Sequence, residues 1–478
     1  MTVHEGSMRE EIIASAGTGN TEWGPEATRG LRRRQAEKNE RDRATAPRQH
    51  RAGKLTARER VYALLDPGSF TETGSLVRCR RDGPEARPWG DAVLTGHGTV
   101  DGRDVCVFAQ DFTVFGGSLG EAVGEKIVRL MDWAADAGAP VIGINDSAGG
   151  RIQEGVVAQA LYGEIFRRNV RLSGQVPQIS LVLGPCAGGA VYSPALTDFV
   201  VVAEGPGQMF VTGPKLLRYA LGEEVSAEEL GGALLHGTRS GAAHHVAETE
   251  AGAFAYTREL LGHFGAQRRP SGPDPLPDDR LAGVLPGPSA PYDVRDLLRR
   301  VLDGGSLLEV HRGFAPNVLV GFGRLGDAGV GVVASQPGHA DGLLDGRAAV
   351  KAARFVRTCD AFGIPILVFV DTPGATEDVS PLLFAFAEAT VPVLTVLTRR
   401  ADGLAYVAMG SRRLCASACF AWPTARIAGE EPYHAADLGQ VDEVIEPGHT
   451  RLRLHRTLRL LQSRAGTPLP RKHDNLPL

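Results

Sequence analysis

The chain has 478 residues, 43% of them hydrophobic and 23% charged, with a formal net charge of −4. That length exceeds one ordinary core and sets two domains as the expectation. Near-neutral charge excludes a nucleic-acid binder as a whole, and no apolar stretch reaches the length of a membrane span.

Residues 1–28 are small, polar and rich in Gly and Thr, which predicts a disordered tail. The following run, Arg29 to Arg60, mixes arginines with Glu37, Glu40, Asp42 and Glu59 and reads as a solvated helix face. No apolar leader precedes it, and the six cysteines form neither a CxxC pair nor a metal-spaced set with histidine. These features predict a cytoplasmic protein with buried thiols and no metal. From residue 267 to 291 seven prolines mark an extended linker. It separates an N-terminal domain, 29–266, from a C-terminal domain, 292–478.

The two halves repeat one another. Gly96-His97-Gly98 before Val105–Phe108 is echoed by Gly321-Phe322-Gly323 before Val330–Val333. Gly138-Ala139-Pro140 leads into Val141–Ile144 and Asn145-Asp146-Ser147, and Gly363-Ile364-Pro365 leads into Ile366–Val370 and Asp371-Thr372-Pro373. A third apolar run ends in Gly188-Gly189-Ala190 in one half and in Gly403-Leu404-Ala405 in the other. Short Val- and Ile-rich runs followed by small-residue turns read as buried strands, and Glu121–Ala137 and Asp345–Phe362 have helical spacing. The pattern predicts an α/β fold present twice. In the first half 38 positions separate Gly138 from Val176; in the second, 28 separate Gly363 from Val391.

Two glycine-rich turns carry the chemistry. Gly184–Ala195, with Cys186, Ala187, Gly188, Gly189 and Tyr192, follows a strand and aims backbone N–H groups at one point, as an oxyanion or phosphate site requires, though close packing explains a bare Gly-Gly-Ala as well. The turn Ser147-Ala148-Gly149-Gly150-Arg151 sits at the same end of the expected sheet and completes a crevice. Lys126, Arg129 and Arg151 supply positive charge for a phosphorylated ligand or stand as surface charges. No GxSxG elbow and no HExxH motif accompany these turns. What remains is chemistry run by backbone oxyanion stabilisation.

These residues resemble the carboxyltransferase, or β, subunits of biotin-dependent acyl-CoA carboxylases such as propionyl-CoA carboxylase. The resemblance rests on Gly53–Arg60, Gln110–Glu121, Ile152–Gly155, Gly184–Asp198, Lys351–Phe355, Glu388–Pro392 and Arg471–Leu478. It implies two tandem crotonase-like (ClpP/crotonase) domains related by duplication, assembled as a homo-oligomer that is a hexamer in the family. It further implies an acyl-CoA substrate, a biotin carboxylase and carrier subunit as partners, and no covalently bound cofactor. The amides of Gly188 and Gly189 would stabilise a thioester enolate. Gly403, Leu404 and Ala405 would face biotin, with Tyr406 and Val407 beside the acyl group.

Three departures from the family pattern all fall in the second half. Leu404 replaces a glycine, where a side chain resists a positive φ and could fill the biotin channel. The segment after Gly374 is short, and a glycine-rich segment after Ala428 is missing. A biotin-independent decarboxylase of a malonyl- or methylmalonyl-type thioester therefore stands beside the carboxyltransferase reading. A non-catalytic CoA-binding paralogue is the third alternative.

Overall fold

The computed structural model describes residues 23–80, 87–222, 224–265 and 269–461. A helix α1 (Trp23–Arg51) begins inside the segment expected to be a disordered tail, whose other residues, 1–22, lie outside the described ones. Most side chains of the arginine-rich run face water, as a solvated helix face requires, while Lys38 is buried against Glu72. Helix α2 (Ala57–Leu64) starts at a reciprocal cap: Thr56 accepts from the Glu59 amide, and the Glu59 carboxylate accepts from the Thr56 amide.

The first half then builds β1 (Thr71–Thr73), β2 (Val93–Val100), β3 (Arg103–Gln110), helix α3 (Glu121–Ala137) and β4 (Val141–Ser147). Helix α4 (Gly155–Leu172), β5 (Gln178–Ala187), β6 (Phe199–Ala203), β7 (Gln208–Phe210), β8 (His245–Ala247) and α5 (Glu250–Leu261) follow, with short helices between β7 and β8. The second half runs α6 (Val294–Val301), β9 (Leu308–Val310), β10 (Val318–Leu325), β11 (Ala328–Ser335), α7 (Gly346–Ala361) and β12 (Ile366–Thr372). It continues with α8 (Ser380–Glu388), β13 (Val393–Ala401), α9 (Gly403–Ala408), β14 (Ala418–Ala421), β15 (Arg426–Ile427), α10 (Pro432–Asp437), β16 (Glu443–Val444) and α11 (Thr450–Leu461).

The two sheets have one topology. The first is ordered β1-β2-β3-β4-β5-β6-β8 with β7 on β5, and the second β9-β10-β11-β12-β13-β14-β16 with β15 on β13. In each, a three-stranded antiparallel meander leads into parallel strands. Strands β4 and β12 are buried along their whole length, so each begins as an apolar run, Val141–Ile144 or Ile366–Val370, and carries an acid one residue before its end. The sequence expectation of a duplicated α/β fold is what the chain adopts.

Register shifts recur at matching places. The β4–β5 ladder breaks between Asn145 and Ser147, and the β12–β13 ladder between Val370 and Thr372. Each irregularity swings an aspartate, Asp146 or Asp371, out of the ladder at the strand end. The ten-position difference between the halves resides mainly in one helix, since α4 has 18 residues and α8 has 9.

One hydrophobic core spans the two halves. At the seam Phe199 meets Phe322 (ring centroids 6.0 Å apart), Phe264 meets Phe322 (5.6 Å) and Phe362 (5.0 Å), and Phe322 meets Phe355 (4.9 Å). The proline-rich segment is not a free tether over its described residues. Leu281 is fully buried against the second half, the Asp278 amide donates to Gly448 O, and Arg399 donates to the carbonyls of Gly287 and Ala290.

Candidate active site

Strand β5 ends at Ala187 in extended backbone, and the next residue, Gly188, takes a φ of 60°. Only glycine adopts this conformation without strain, and a Cβ at Gly188 would meet nothing within 4 Å, so the turn opens onto free space. The chain then enters a short helical turn, Gly188–Val191, whose first amides have no acceptor within the turn itself. Gly189 has a different reason to be glycine. A Cβ there would stand 2.8 Å from the ring of Tyr162, which rises from α4 beneath the turn.

The second half repeats this geometry. Asp402 is extended, Gly403 has a φ of 57° and faces open space, and α9 begins at once. Leu404 therefore does not carry the left-handed conformation; Gly403 does. The expected conflict between Leu404 and a positive φ is absent, and its side chain is 56% exposed rather than packed into the turn. Both turns can present peptide N–H groups to a developing negative charge.

A left-handed loop packs on the end of the neighbouring strand in each half. Phe115, Gly116 and Gly117 have successive φ values of 48°, 63° and 66°, and Ala340, Asp341 and Gly342 have 45°, 56° and 73°. The third residue packs on the aspartate peptide: a Cβ at Gly117 would lie 2.1 Å from Asp146 O, and one at Gly342 2.6 Å from Asp371 O. In the first half this loop is joined to the Ser147–Arg151 turn by Ala148 N–H donating to Gly116 O (2.9 Å).

Beneath each turn lies a buried acid held by cations. Asp146 accepts from Lys54 Nζ (2.8 Å) and Arg60 Nη1 (2.8 Å), while Arg60 also binds Glu250 (2.6 Å) and Leu183 O (2.7 Å). Gly184 is glycine because a Cβ there would sit 2.0 Å from Asp146 Oδ1. Asp371 accepts from Arg399 Nε (2.8 Å) and Arg400 Nε (3.2 Å). These acids and their cations were not legible as a site in the sequence, because Lys54 and Arg60 lie far along the chain from Asp146.

Several expected ligand-binding residues have other duties. Lys126 is engaged internally: it is buried, its Nζ donates to Gly90 O (2.9 Å) and Val93 O (2.5 Å), and burial pushes its pKa down to about 8. Arg151 is likewise consumed internally, bonded to Asp91 (2.8 Å) and Glu154 (2.8 Å). Ser147 is fully buried and accepts from the Gly149 amide (3.1 Å). Cys186 is fully buried, its thiol pushed up to about 12 by desolvation. Ala148, Gly150, Ala187 and Tyr192 remain at least partly accessible on the first side, with Tyr192 47% exposed. On the second side Ala405 is buried, Val407 is half-buried, and the Tyr406 hydroxyl is buried without a partner, its pKa raised to about 12 by burial.

A cavity of about 830 Å3 lies elsewhere, at the seam between the halves, where His244, His311 and Arg312 contribute to its lining. Each turn instead stands at the open C-terminal end of its parallel strands, where ligands of α/β sheets bind.

The carboxyl transferase domain family matches residues 48–429. The chain belongs to this family. Over 91% of its length it is 48% identical to the propionyl-CoA carboxylase beta chain of Saccharopolyspora erythraea, of which 93% is covered. It is 44% identical to the methylmalonyl-CoA decarboxylase subunit alpha of Veillonella parvula, over 90% of this chain and 94% of that one. Its fold is similar to the crystal structure of transcarboxylase 12S, a hexamer with hydrolysed methylmalonyl-coenzyme A bound, with a TM-score of 0.89 at 39% identity, covering 95% of this chain and 98% of the other. The chain is thus an enzyme of the acyl-CoA carboxyltransferase family with tandem crotonase-like domains. Among its described residues no helix is long and apolar enough to cross a membrane.

Proposed function

We propose that this carboxyltransferase moves a carboxyl group between biotin on a carrier protein and a short acyl-CoA of the propionyl/methylmalonyl type. The observation that carries the reading is the pair of matching left-handed glycine turns, Gly188 and Gly403, each facing open space. Two anions must be stabilised in such a transfer, a thioester enolate and a ureido anion, and the fold offers one backbone site for each. The amides following Ala187 would receive the thioester oxygen, and those of Gly403, Leu404 and Ala405 the ureido oxygen. Gly403 opens onto free space and Leu404 is exposed, which leaves this side open to biotin, a group that would supply a nitrogen to carry CO2 and accept the α-proton of the acyl group. Removing one such donor costs about 10²–10³ in rate.

A homo-oligomer supports this site. Ile152 (90% exposed), Val156 (76%) and Tyr192 (47%) are exposed apolar side chains of the first half, as are Leu404 (56%) and Tyr433 (58%) of the second. A second copy covering them would exclude water from the enolate. The S. erythraea relative is named for propionyl-CoA, and half-buried Val407 and exposed Tyr192 suit a small apolar acyl group.

The test follows CO2 loss from methylmalonyl-CoA by mass spectrometry with and without free biotin. Loss that depends on biotin is expected. Equal loss without biotin would overturn the reading in favour of a biotin-independent decarboxylase, and failure to bind any CoA thioester would remove the first site as well.

A further inference from the structure

The left-handed loop of the second half keeps two of the backbone bonds that fasten its counterpart, Leu344 N–H to Gly374 O and Thr376 N–H to Leu344 O (both 3.0 Å), but lacks a third. In the first half Ala148 N–H donates to Gly116 O (2.9 Å). The corresponding residues are Pro373 and Asp341, and proline has no N–H to give. The carbonyl of Asp341 is nonetheless satisfied, by Arg400 Nη2 at 3.0 Å. The same guanidinium holds the Asp341 carboxylate through Nη1 (2.5 Å) and Nη2 (2.8 Å), and its Nε reaches Asp371 (3.2 Å).

Asp341 itself sits at a φ of 56°, where the first half has a glycine. Aspartate tolerates this conformation better than most side chains, and here its carboxylate is tied to the Arg400 guanidinium. Arg400 belongs to β13, three residues before Gly403. Its bidentate fork is a fixed geometry that a lysine ammonium reproduces only in part.

We infer that Arg400 and Asp341 are positioning residues of the second turn: the Arg400 side chain replaces a missing backbone hydrogen bond and fixes the strand end from which the Gly403–Ala405 amides are presented. This inference rests on the proposed assignment of those amides to biotin for its kinetic consequence, and on geometry alone for its structural one.

The experiment compares Arg400→Ala, Arg400→Lys and Asp341→Gly with the intact full-length enzyme in two readouts. In biotin-dependent carboxyl transfer, Arg400→Ala should lose about 10- to 100-fold in kcat/KM for biotin, with acyl-CoA affinity unchanged and Arg400→Lys partly restored. Asp341→Gly should lose activity without losing thermal stability, since it removes the clamp and a left-handed non-glycine residue together. In hydrogen exchange, the hydrogen-bonded amides at the strand end, Asp402 N–H on Thr372 O and Ala428 N–H on Ala401 O, should exchange faster in Arg400→Ala, while the Leu196 amide on Tyr192 O in the first half does not change. Unchanged exchange at Asp402 and Ala428 in folded Arg400→Ala overturns the inference whatever the activity. Absence of biotin-dependent turnover in the unsubstituted enzyme overturns the functional reading and leaves the exchange measurement to decide the clamp.

Discussion

At the scale of single residues, the chemistry depends on two glycines whose conformation matters more than their size. An alanine at Gly188 or Gly403 has room for its methyl group but not for the backbone angle, which costs about 1–2 kcal/mol. Each variant is expected to remain folded and to lose a different half of the reaction. Gly188→Ala should weaken acyl-CoA handling, and Gly403→Ala should raise the biotin requirement while acyl-CoA binding persists. Steady-state kinetics with each substrate varied in turn checks this, and equal effects on both substrates would count against separate sites. Leu404 shows where residue-level reading of the sequence stops. A departure from a glycine pattern is visible in the letters, but which of two neighbouring residues carries the positive φ is not.

At the scale of elements, the repeated lysines of α3 and α7 are buttresses rather than ligand-binding charges. Lys126 reaches the carbonyls of Gly90 and Val93, and Lys351 those of Phe314 (2.8 Å), Ala315 (3.2 Å) and Val318 (2.6 Å). Burial lowers the Lys126 pKa from 10.5 to about 8, so between these values the unfolded chain binds more protons than the folded one. Stability contributed by this group therefore rises as pH climbs from about 8 to 10.5. Lys126→Met should flatten that rise, measured by chemical denaturation across the window; an unchanged slope would mean the lysine titrates normally. The strands, the repeat and the ten-position difference were legible because burial and turn chemistry impose short-range patterns. The buttressing lysines, the Asp146 and Asp371 ion networks and the Asp341–Arg400 pair were not, since a charged residue on a helix or strand end looks the same in sequence whether it faces water or a distant carbonyl.

At the scale of the whole molecule, the two halves are joined by a shared core, so duplication has not produced two beads on a string. Phe322 touches Phe199, Phe264 and Phe355 at the seam and is fully buried. Phe322→Ala should cost about 3–5 kcal/mol and lower a single unfolding transition seen by calorimetry; two separated transitions in the unsubstituted protein would show that the halves melt independently. The proline-rich segment contributes to this unity, which composition alone concealed. Prolines announce an extended path, but not that Leu281 and the Gly287 and Ala290 carbonyls along it are captured by the second half.

The twin turns also bear on how such an enzyme can change over time. A catalyst made of peptide N–H groups is present at every position except proline, so exchanging the side chains around it alters what is admitted without deleting the reactive group. Inheritance of the chemistry is thereby separated from inheritance of the substrate. A lineage can swap Leu404 for glycine, or redraw Tyr192 and Val407, and keep its reactive amides so long as Gly188 and Gly403 hold the bend.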